Sequence, residues 1–209
     1  DNVFGAYIIY SKQVKNISYQ AGMRTESSFY TGTLVDSNKV FKNYYPASFF
    51  PSFSASYEIN KKNNFHFSYS RRINRPSFLQ IIPYTDYSDS LNLTRGNPGL
   101  KPEFTHSMEL SHLKIMDNKN GSLLSTLYFK NSSDLITTYQ VNEYDTLLKR
   151  NTVISSYENA NASYIYGAEI TGKISIAKWL DITLNFNSYY SVLNAKNLAD
   201  NLSNERISW

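Results

Sequence analysis

The feature that most constrains this fold is an alternation of apolar and polar residues with a period of two. Around residue 170, Tyr166, Ala168 and Ile170 alternate with Gly167 and Glu169. Apolar spacing of three and four residues, which marks helices, is nearly absent. Successive side chains of a strand point to opposite faces, so each such segment predicts a strand with one apolar and one polar face. The clearest segments lie at residues 4–11, 17–24, 52–59, 65–70, 164–176 and 180–192.

Two segments in the middle of the chain are less regular. In residues 103–116 the apolar face would carry Met108 and Leu110, and residues 123–129 are apolar in both registers. We expect both to be strands and leave their facing open. With these two, the chain has eight strands in an up-and-down meander, and residues 204–209 read as the start of a ninth.

The connections alternate between short and long. Short connections are expected at residues 14–16, 60–63, 117–121 and 177–178, and long ones at residues 31–48, 73–102 and 193–206. A short link at residues 142–145 falls where a long one is due. Its flanking strands, roughly residues 123–141 and 146–176, exceed the about 9 to 11 residues that span a bilayer, so this hairpin is expected to project.

Long connections at one end and short turns at the other are typical of outer-membrane barrels. A soluble sandwich has no reason to sort its loops in this way. The mean hydropathy of −0.44 does not contradict a membrane setting, because an alternating strand averages its two faces. We therefore expect an all-β, antiparallel, up-and-down transmembrane barrel, present in part, and keep a soluble all-β domain as the alternative.

Composition excludes several classes of function. The chain has no Cys, which rules out a disulfide scaffold, a Cys-ligated zinc site and a thiol nucleophile. Its formal net charge of +4 is mild for 209 residues, and we expect no nucleic-acid partner. No sequence signature of catalysis is present, so no enzyme activity and no cofactor are expected.

Two linked motifs indicate a family. Residues 68–77 read SYSRRINRPS, and residues 96–103 read GNPGLKPE. They resemble the TonB-dependent-receptor-like outer-membrane β-barrel proteins of Bacteroidota, in which such a strand end and loop end occur at this distance. Further similarity lies at residues 127–137, 166–169 and 178–180, so the resemblance covers essentially the whole chain.

The resemblance implies a large barrel enclosing a plug domain, with energy supplied through TonB. Such transporters have about 22 strands, so eight would form part of the wall. The chain shows no signal peptide, plug or closing strand, and we expect residues 1–209 to be a fragment of one barrel domain in the bacterial outer membrane. The expected function is binding and import of a nutrient such as a metal chelate or a glycan. An autonomous small barrel with a structural or adhesive role, and a soluble carbohydrate-binding β-domain, remain alternatives.

Candidate site residues fall into two groups. The first is expected to face a ligand or the plug, and it comprises Arg71, Arg72, Asn74, Arg75, Asn97 and Glu103. The second is expected to form an aromatic belt between lipid and water, and it comprises Tyr44, Tyr45, Phe49, Trp179 and Tyr190. His106, Glu109 and His112 do not predict a metal site, because the two histidines share one strand face and Glu109 points to the other.

Overall fold

The computed structural model describes residues 2–34, 39–89, 92–116, 120–198 and 203–209. Its elements are β1 (Asn2–Val14), β2 (Ile17–Leu34), β3 (Lys39–Asn60), β4 (Asn63–Asn74), α1 (Phe78–Ile81), β5 (Thr85–Asp86), β6 (Leu93–Arg95), β7 (Glu103–Ile115), β8 (Gly121–Asp145), β9 (Arg150–Ala177), β10 (Leu180–Asn194) and β11 (Ser203–Ser208). Among the described residues, no helix is long and apolar enough to cross a membrane.

The strands form one antiparallel sheet in the order β1-β2-β3-β4-β7-β8-β9-β10-β11. Neighbours in the sheet are neighbours along the chain except where β5 and β6 intervene, and those two short strands lie off this path. The predicted meander is confirmed. Strand β11 confirms the ninth strand that was expected at residues 204–209.

The register joins the separate apolar faces into one continuous surface. A single row of directly opposed residues crosses all nine strands of the path: Tyr10, Ala21, Phe53, Tyr69, Met108, Phe129, Tyr166, Tyr190 and Ile207. The adjacent row lies on the opposite face and is mostly polar or small: Ser11, Gln20, Ser54, Ser68, Glu109, Tyr128, Gly167, Tyr189 and Ser208. A slip of one residue in any ladder would exchange these faces, so burial against lipid fixes the register.

These rows settle the two strands whose facing the sequence left open. Met108 and Leu110 of β7 lie on the apolar face, as does Phe129 of β8, whereas Glu109 and Tyr128 lie on the polar face.

The apolar face carries large side chains that nothing in the chain covers. Phe4 is 70% exposed, Ile8 71% and Leu184 72%. Such a surface is unfavourable in water and is the outer face of a membrane barrel, whose polar face lines the interior.

The two ends of the sheet differ as predicted. Two-residue turns at residues 15–16, 61–62 and 178–179 lie at one end. The expected turn at residues 117–121 falls mostly outside the described residues.

The long connections are more ordered than expected. The predicted loop at residues 31–48 is wrong in form: β2 continues to Leu34 and β3 begins at Lys39, so most of it is a hairpin. The tight turn of the later hairpin lies at residues 146–149 instead of 142–145. Pattern alone does not locate that turn, because this part of the hairpin rises beyond its neighbours and no longer has one lipid face.

The β8–β9 hairpin projects beyond both neighbouring strands. The ladder with β7 ends at Ser133, and the ladder with β10 ends at Ala162. At this height Asp134 adopts a φ of 53°, and the pair Asp134–Asn161 is missing from the β8–β9 ladder, although the register is the same on both sides of it. The ladder is therefore interrupted where the hairpin leaves the sheet.

The sheet is an open arc. Within the described residues, β1 pairs with β2 alone and β11 pairs with β10 alone. An autonomous eight-stranded barrel would require β1 to pair with β10, and this pair is not formed among the described residues: β10 pairs with β9 along its length and with β11 over residues 189–194.

Candidate functional site

The site is built around residues 75–102, here called the cap loop, which connect β4 to β7 at the end with the long connections. Ser77 starts the single turn of α1, and its backbone N–H donates to Gln80 Oε1 at 2.8 Å. Strand β5 pairs with β6, and β6 adds in parallel to the free edge of β9 through Leu93–Ile154. Leu93 and Ile154 are both buried, so this parallel contact is the apolar anchor of the cap loop.

Charged and polar contacts fix the cap loop to the upper part of the β8–β9 hairpin. Arg95 donates to Glu143 at 2.8 Å, and Tyr87 Oη donates to Asp145 Oδ2 at 2.8 Å. The second oxygen of Asp145 accepts the backbone N–H groups of Leu147 and Leu148, both at 2.8 Å. One carboxylate therefore holds both the hairpin turn and the loop above it.

These contacts shift the ionisation of both acids. Hydrogen bonds from the Leu148 backbone and from Tyr87 lower the pKa of Asp145. The hydrogen bond from Arg95 lowers the pKa of Glu143. The arrangement thus favours both carboxylates in their charged form.

The motif at residues 96–103 docks the second half of the cap loop. Asn97 Nδ2 donates to the Tyr157 carbonyl at 2.9 Å, and Asn97 Oδ1 accepts the Gly99 N–H at 2.8 Å. Asn159 completes the contact by binding both the N–H and the carbonyl of Lys101, at 2.8 and 3.0 Å. Backbone groups that would be left unpaired in a loop are thus satisfied by asparagine side chains.

Gly96 allows the cap loop to fold onto itself. A Cβ atom at this position would lie 2.7 Å from the Leu79 carbonyl oxygen and would also collide with the Ile82 carbonyl. Since both are backbone atoms, no side-chain movement could relieve the contact. Glycine is required here for close approach of the chain to α1.

The other end of the cap loop is tied to β2. Arg75 pairs with Glu26 at 2.9 Å, with side chains 18% and 16% exposed, and Arg24 reaches the same carboxylate at 3.3 Å. Phe78 of α1 lies against Gly32, where an added Cβ would be 2.7 Å from the ring. The cap loop therefore links the β2–β3 hairpin to the β8–β9 hairpin.

Arg71 and Arg72 point to different surroundings. Arg71 donates to the Phe49 carbonyl at 2.9 Å and lies 4.4 Å from the centre of the Phe104 ring. The β3–β4 ladder ends at Ser52, next to Pro51, which has no N–H to donate, so Arg71 serves an acceptor beyond the ladder. Arg72 is exposed on the same face as Ser70.

The structure thus brings together part of the predicted ligand- or plug-facing group. Arg71, Arg72 and Arg75 lie near one another at the top of β4, and Asn74 is opposite Glu103, with a long contact of 3.5 Å. Asn97 lies on the far side of the cap loop, against β9. A role of these residues toward a ligand or a plug stays a prediction.

The residues of the predicted aromatic belt differ in how far they are exposed. Tyr44 is 65% exposed, Phe49 58% and Trp179 83%, and Tyr190 donates to Glu205 at 2.6 Å. Tyr45 is only 8% exposed and packs edge-on against Tyr30 at 5.8 Å. The ring of Tyr45 is thus enclosed in the β2–β3 hairpin. A place at the lipid–water boundary stays a prediction for all five aromatic residues.

Among the described residues, no group of three or more His, Asp or Glu side chains is placed to hold a metal ion. His106 bonds with Tyr69 Oη at 2.9 Å, and His112 stacks on Phe65 at 4.4 Å. Both histidines are engaged by neighbouring strands.

Sequence reasoning missed the acids that receive the cap loop. Glu26 lies 49 positions from Arg75, and Glu143 lies 48 positions from Arg95. No local pattern links such residues. The polar-face contact of Tyr128 Oη with Asn187 Oδ1, at 3.0 Å, spans 59 positions and was missed for the same reason.

The sequence model of the outer membrane protein beta-barrel family matches residues 1–209, the whole chain. The chain belongs to this family. It therefore lies in the bacterial outer membrane, and its exposed apolar face is the lipid face of a barrel wall. A comparison with curated proteins finds no match.

Solved structures give the same fold for this family member. The siderophore receptor PirA of Pseudomonas aeruginosa matches with a TM-score of 0.68 and 15% identity over 98% of this chain and 39% of that one. The ferric enterobactin receptor PfeA of the same organism matches with a TM-score of 0.64 and 15% identity, over 98% of this chain and 31% of that one. The alcaligin outer membrane receptor FauA of Bordetella pertussis matches with a TM-score of 0.53 and 13% identity, over 90% of this chain and 33% of that one. The chain spans about a third of the length of these structures.

Proposed function

We propose that this chain is an arc of the barrel wall of a TonB-dependent receptor that binds a nutrient outside the cell and imports it. The open edges of β1 and β11 carry this proposal. Unpaired backbone groups are not tolerated in hydrocarbon, so further strands must continue the sheet on both sides. The fold shared with much longer receptors agrees with this reading.

The nutrient would be a metal chelate or a glycan, captured by the side chains of the long connections. The surfaces proposed for capture are residues 31–48, the cap loop and the β8–β9 hairpin near residues 142–149. The geometry supports this choice of surfaces. The cap loop is joined to β9 through β6 and to β2 through Arg75, so these segments form one ordered layer at this end of the sheet.

Release into the periplasm would require a plug domain inside the full barrel and coupling to TonB. The polar face of the arc would then line the lumen and contact the plug. Catalysis forms no part of the proposal.

The alternative of an autonomous small barrel loses its support, because the closing pair β1–β10 is not formed. The alternative of a soluble carbohydrate-binding domain is excluded by the outer-membrane family.

The test is an uptake assay in the bacterium that makes this protein. We expect deletion of residues 83–93, which removes β5 and the anchoring Leu93 of β6, to abolish uptake of the nutrient while leaving the barrel in the outer membrane. The probes are radioiron-labelled ferric enterobactin and a fluorescent oligosaccharide, each measured with and without a functional TonB. Replacing residues 61–62 at the opposite end by Gly-Asn serves as the control.

Unchanged uptake of both probes in strains lacking the whole gene, compared with wild type, would leave metal chelate and glycan import without support. Loss of uptake that does not depend on TonB would contradict the coupling.

A further inference from the structure

A cleft on the polar face near the top of β2–β4 has the chemistry of an oxyanion site. It has a volume of about 540 Å³, and it is here called the arginine cleft; its lining includes Tyr7, Gly22, Arg24, Ser52, Ser70 and Arg72. It lies beside the cap loop contacts described above and shares Arg24 with them.

The floor of the arginine cleft is formed by small residues that lie opposite one another on three neighbouring strands, so no bulky side chain fills the cleft. Gly22 is opposite Ser52, and Ser52 is opposite Ser70. A Cβ on Gly22 would be 2.6 Å from Ser52 Oγ, so the serine hydroxyl lies directly over the glycine. The hydroxyls of Ser52 and Ser70 make no hydrogen bond with a described residue and are available as donors.

The wall of the cleft carries unbalanced positive charge. Arg24, Arg71 and Arg72 line it, and Arg75 shares the carboxylate of Glu26 with Arg24. Glu26 is the one carboxylate among the described residues that forms an ion pair with any of these four arginines. Arg71 is engaged by Phe49 and Phe104, and Arg75 by Glu26. Arg72 has no ion pair with a described residue.

Arg24 is held in place by two contacts that leave part of its guanidinium free to donate hydrogen bonds. Its guanidinium lies 5.1 Å from the centre of the Phe50 ring and 3.3 Å from Glu26, and its side chain remains 50% exposed. Phe50 itself is buried, at 3% exposed, which makes it a rigid support. One face of Arg24 and the whole of Arg72 can therefore donate hydrogen bonds into the cleft.

We propose that the arginine cleft binds a carboxylate group. Two guanidinium groups and two serine hydroxyls converge there, and guanidinium donors match the two oxygens of a carboxylate. Lipid phosphates lie outside the barrel, on the other side of the wall, so the carboxylate must come from the lumen. Its source is a side chain of the same full-length protein or a carboxylate-bearing small molecule. This inference concerns the wall itself and does not depend on import.

In the first arm of the test, the full-length protein in detergent micelles is titrated with citrate at low ionic strength, and calorimetry measures the binding. Trimethyl citrate, which lacks the charges, is the ligand control. We expect Arg72→Gln to weaken citrate binding by about tenfold or more, since it removes charge-assisted hydrogen bonds. Lys130→Gln removes one cation from the same face outside the cleft and is expected to leave binding unchanged.

The second arm detects a carboxylate of the protein itself. In the Arg72→Lys variant a water-soluble carbodiimide would join the new amine to a neighbouring carboxylate, and peptide mapping would identify the partner. Arg72 is exposed and makes no ion pair with any residue that the structure describes, so neither variant removes such a contact.

Either result supports the proposal and names the source: citrate binding that needs Arg72, or an internal cross-link at position 72 with no citrate binding. Citrate binding unaffected by Arg72→Gln would overturn the carboxylate site, as would the absence of both binding and cross-link.

Discussion

The ring of Tyr128 lies directly over Gly167 of the neighbouring strand. The two residues are opposed in the β8–β9 ladder, and a Cβ on Gly167 would come within 2.6 Å of the ring carbon Cε2 and closer still to the end of the ring. In this position Tyr128 Oη reaches Asn187 of β10 at 3.0 Å. The glycine thus allows one side chain to join three strands on the polar face.

We expect Gly167→Ala to destabilise the protein by about 1–3 kcal/mol, because the ring must leave its place and loses Asn187. The measurement is urea unfolding in micelles. Gly172→Ala is the matched control in the same strand, since its nearest side-chain atom would be 4.0 Å away. If Tyr128→Ala did not reduce the cost of Gly167→Ala, the contact would not be its cause.

Asn97→Ala is expected to free the second half of the cap loop, since it removes the bond to the Tyr157 carbonyl and the turn to Gly99. Loss of a partly buried hydrogen bond of this kind costs about 1 kcal/mol locally. Faster hydrogen exchange at residues 97–101, with strands β1 and β2 unchanged, is the expected readout. Asn151→Ala, an exposed position in β9, should leave exchange as in wild type.

Acid is expected to loosen the cap loop. The pKa of Asp145 is lowered in the folded state by the Leu148 N–H and Tyr87, so its contribution to stability is complete above the ordinary aspartate pKa of about 4 and is lost as pH falls through the lowered value. Glu143, lowered by Arg95, acts in the same direction. The stability difference between wild type and Asp145→Asn should therefore shrink between pH 6 and pH 3. A difference that stays constant over this range would contradict the assignment.

Leu184→Arg is expected to impair insertion, because Leu184 is 72% exposed on the apolar face. Arginine on the lipid face of a barrel costs about 2–4 kcal/mol near the bilayer centre. Ser68→Arg lies on the polar face at a similar distance from the turns, opposite Glu109, and should insert normally. Folding into vesicles, followed by gel mobility, compares the two; equal yields would argue against the lipid assignment.

The pattern of the sequence determined the strands and their lipid face. Alternation at residues such as Phe53, Tyr166 and Phe186 is a local property, because each side chain takes its face from the strand period alone. The order of short and long connections determined the direction of the meander and the end at which loops project. The family motifs at residues 68–77 and 96–103 indicated the class of protein.

Only the tertiary structure decided which contacts those motifs make within the chain. Arg75 and Asn97 were expected to face a ligand or a plug, and they bind Glu26 and the Tyr157 carbonyl within the chain. The hairpin at residues 31–48 and the enclosed ring of Tyr45 likewise depend on contacts between distant segments. Such contacts depend on which strands lie side by side in the sheet. The alternation of apolar and polar residues does not carry this information, because it is the same for a strand whichever neighbour it pairs with.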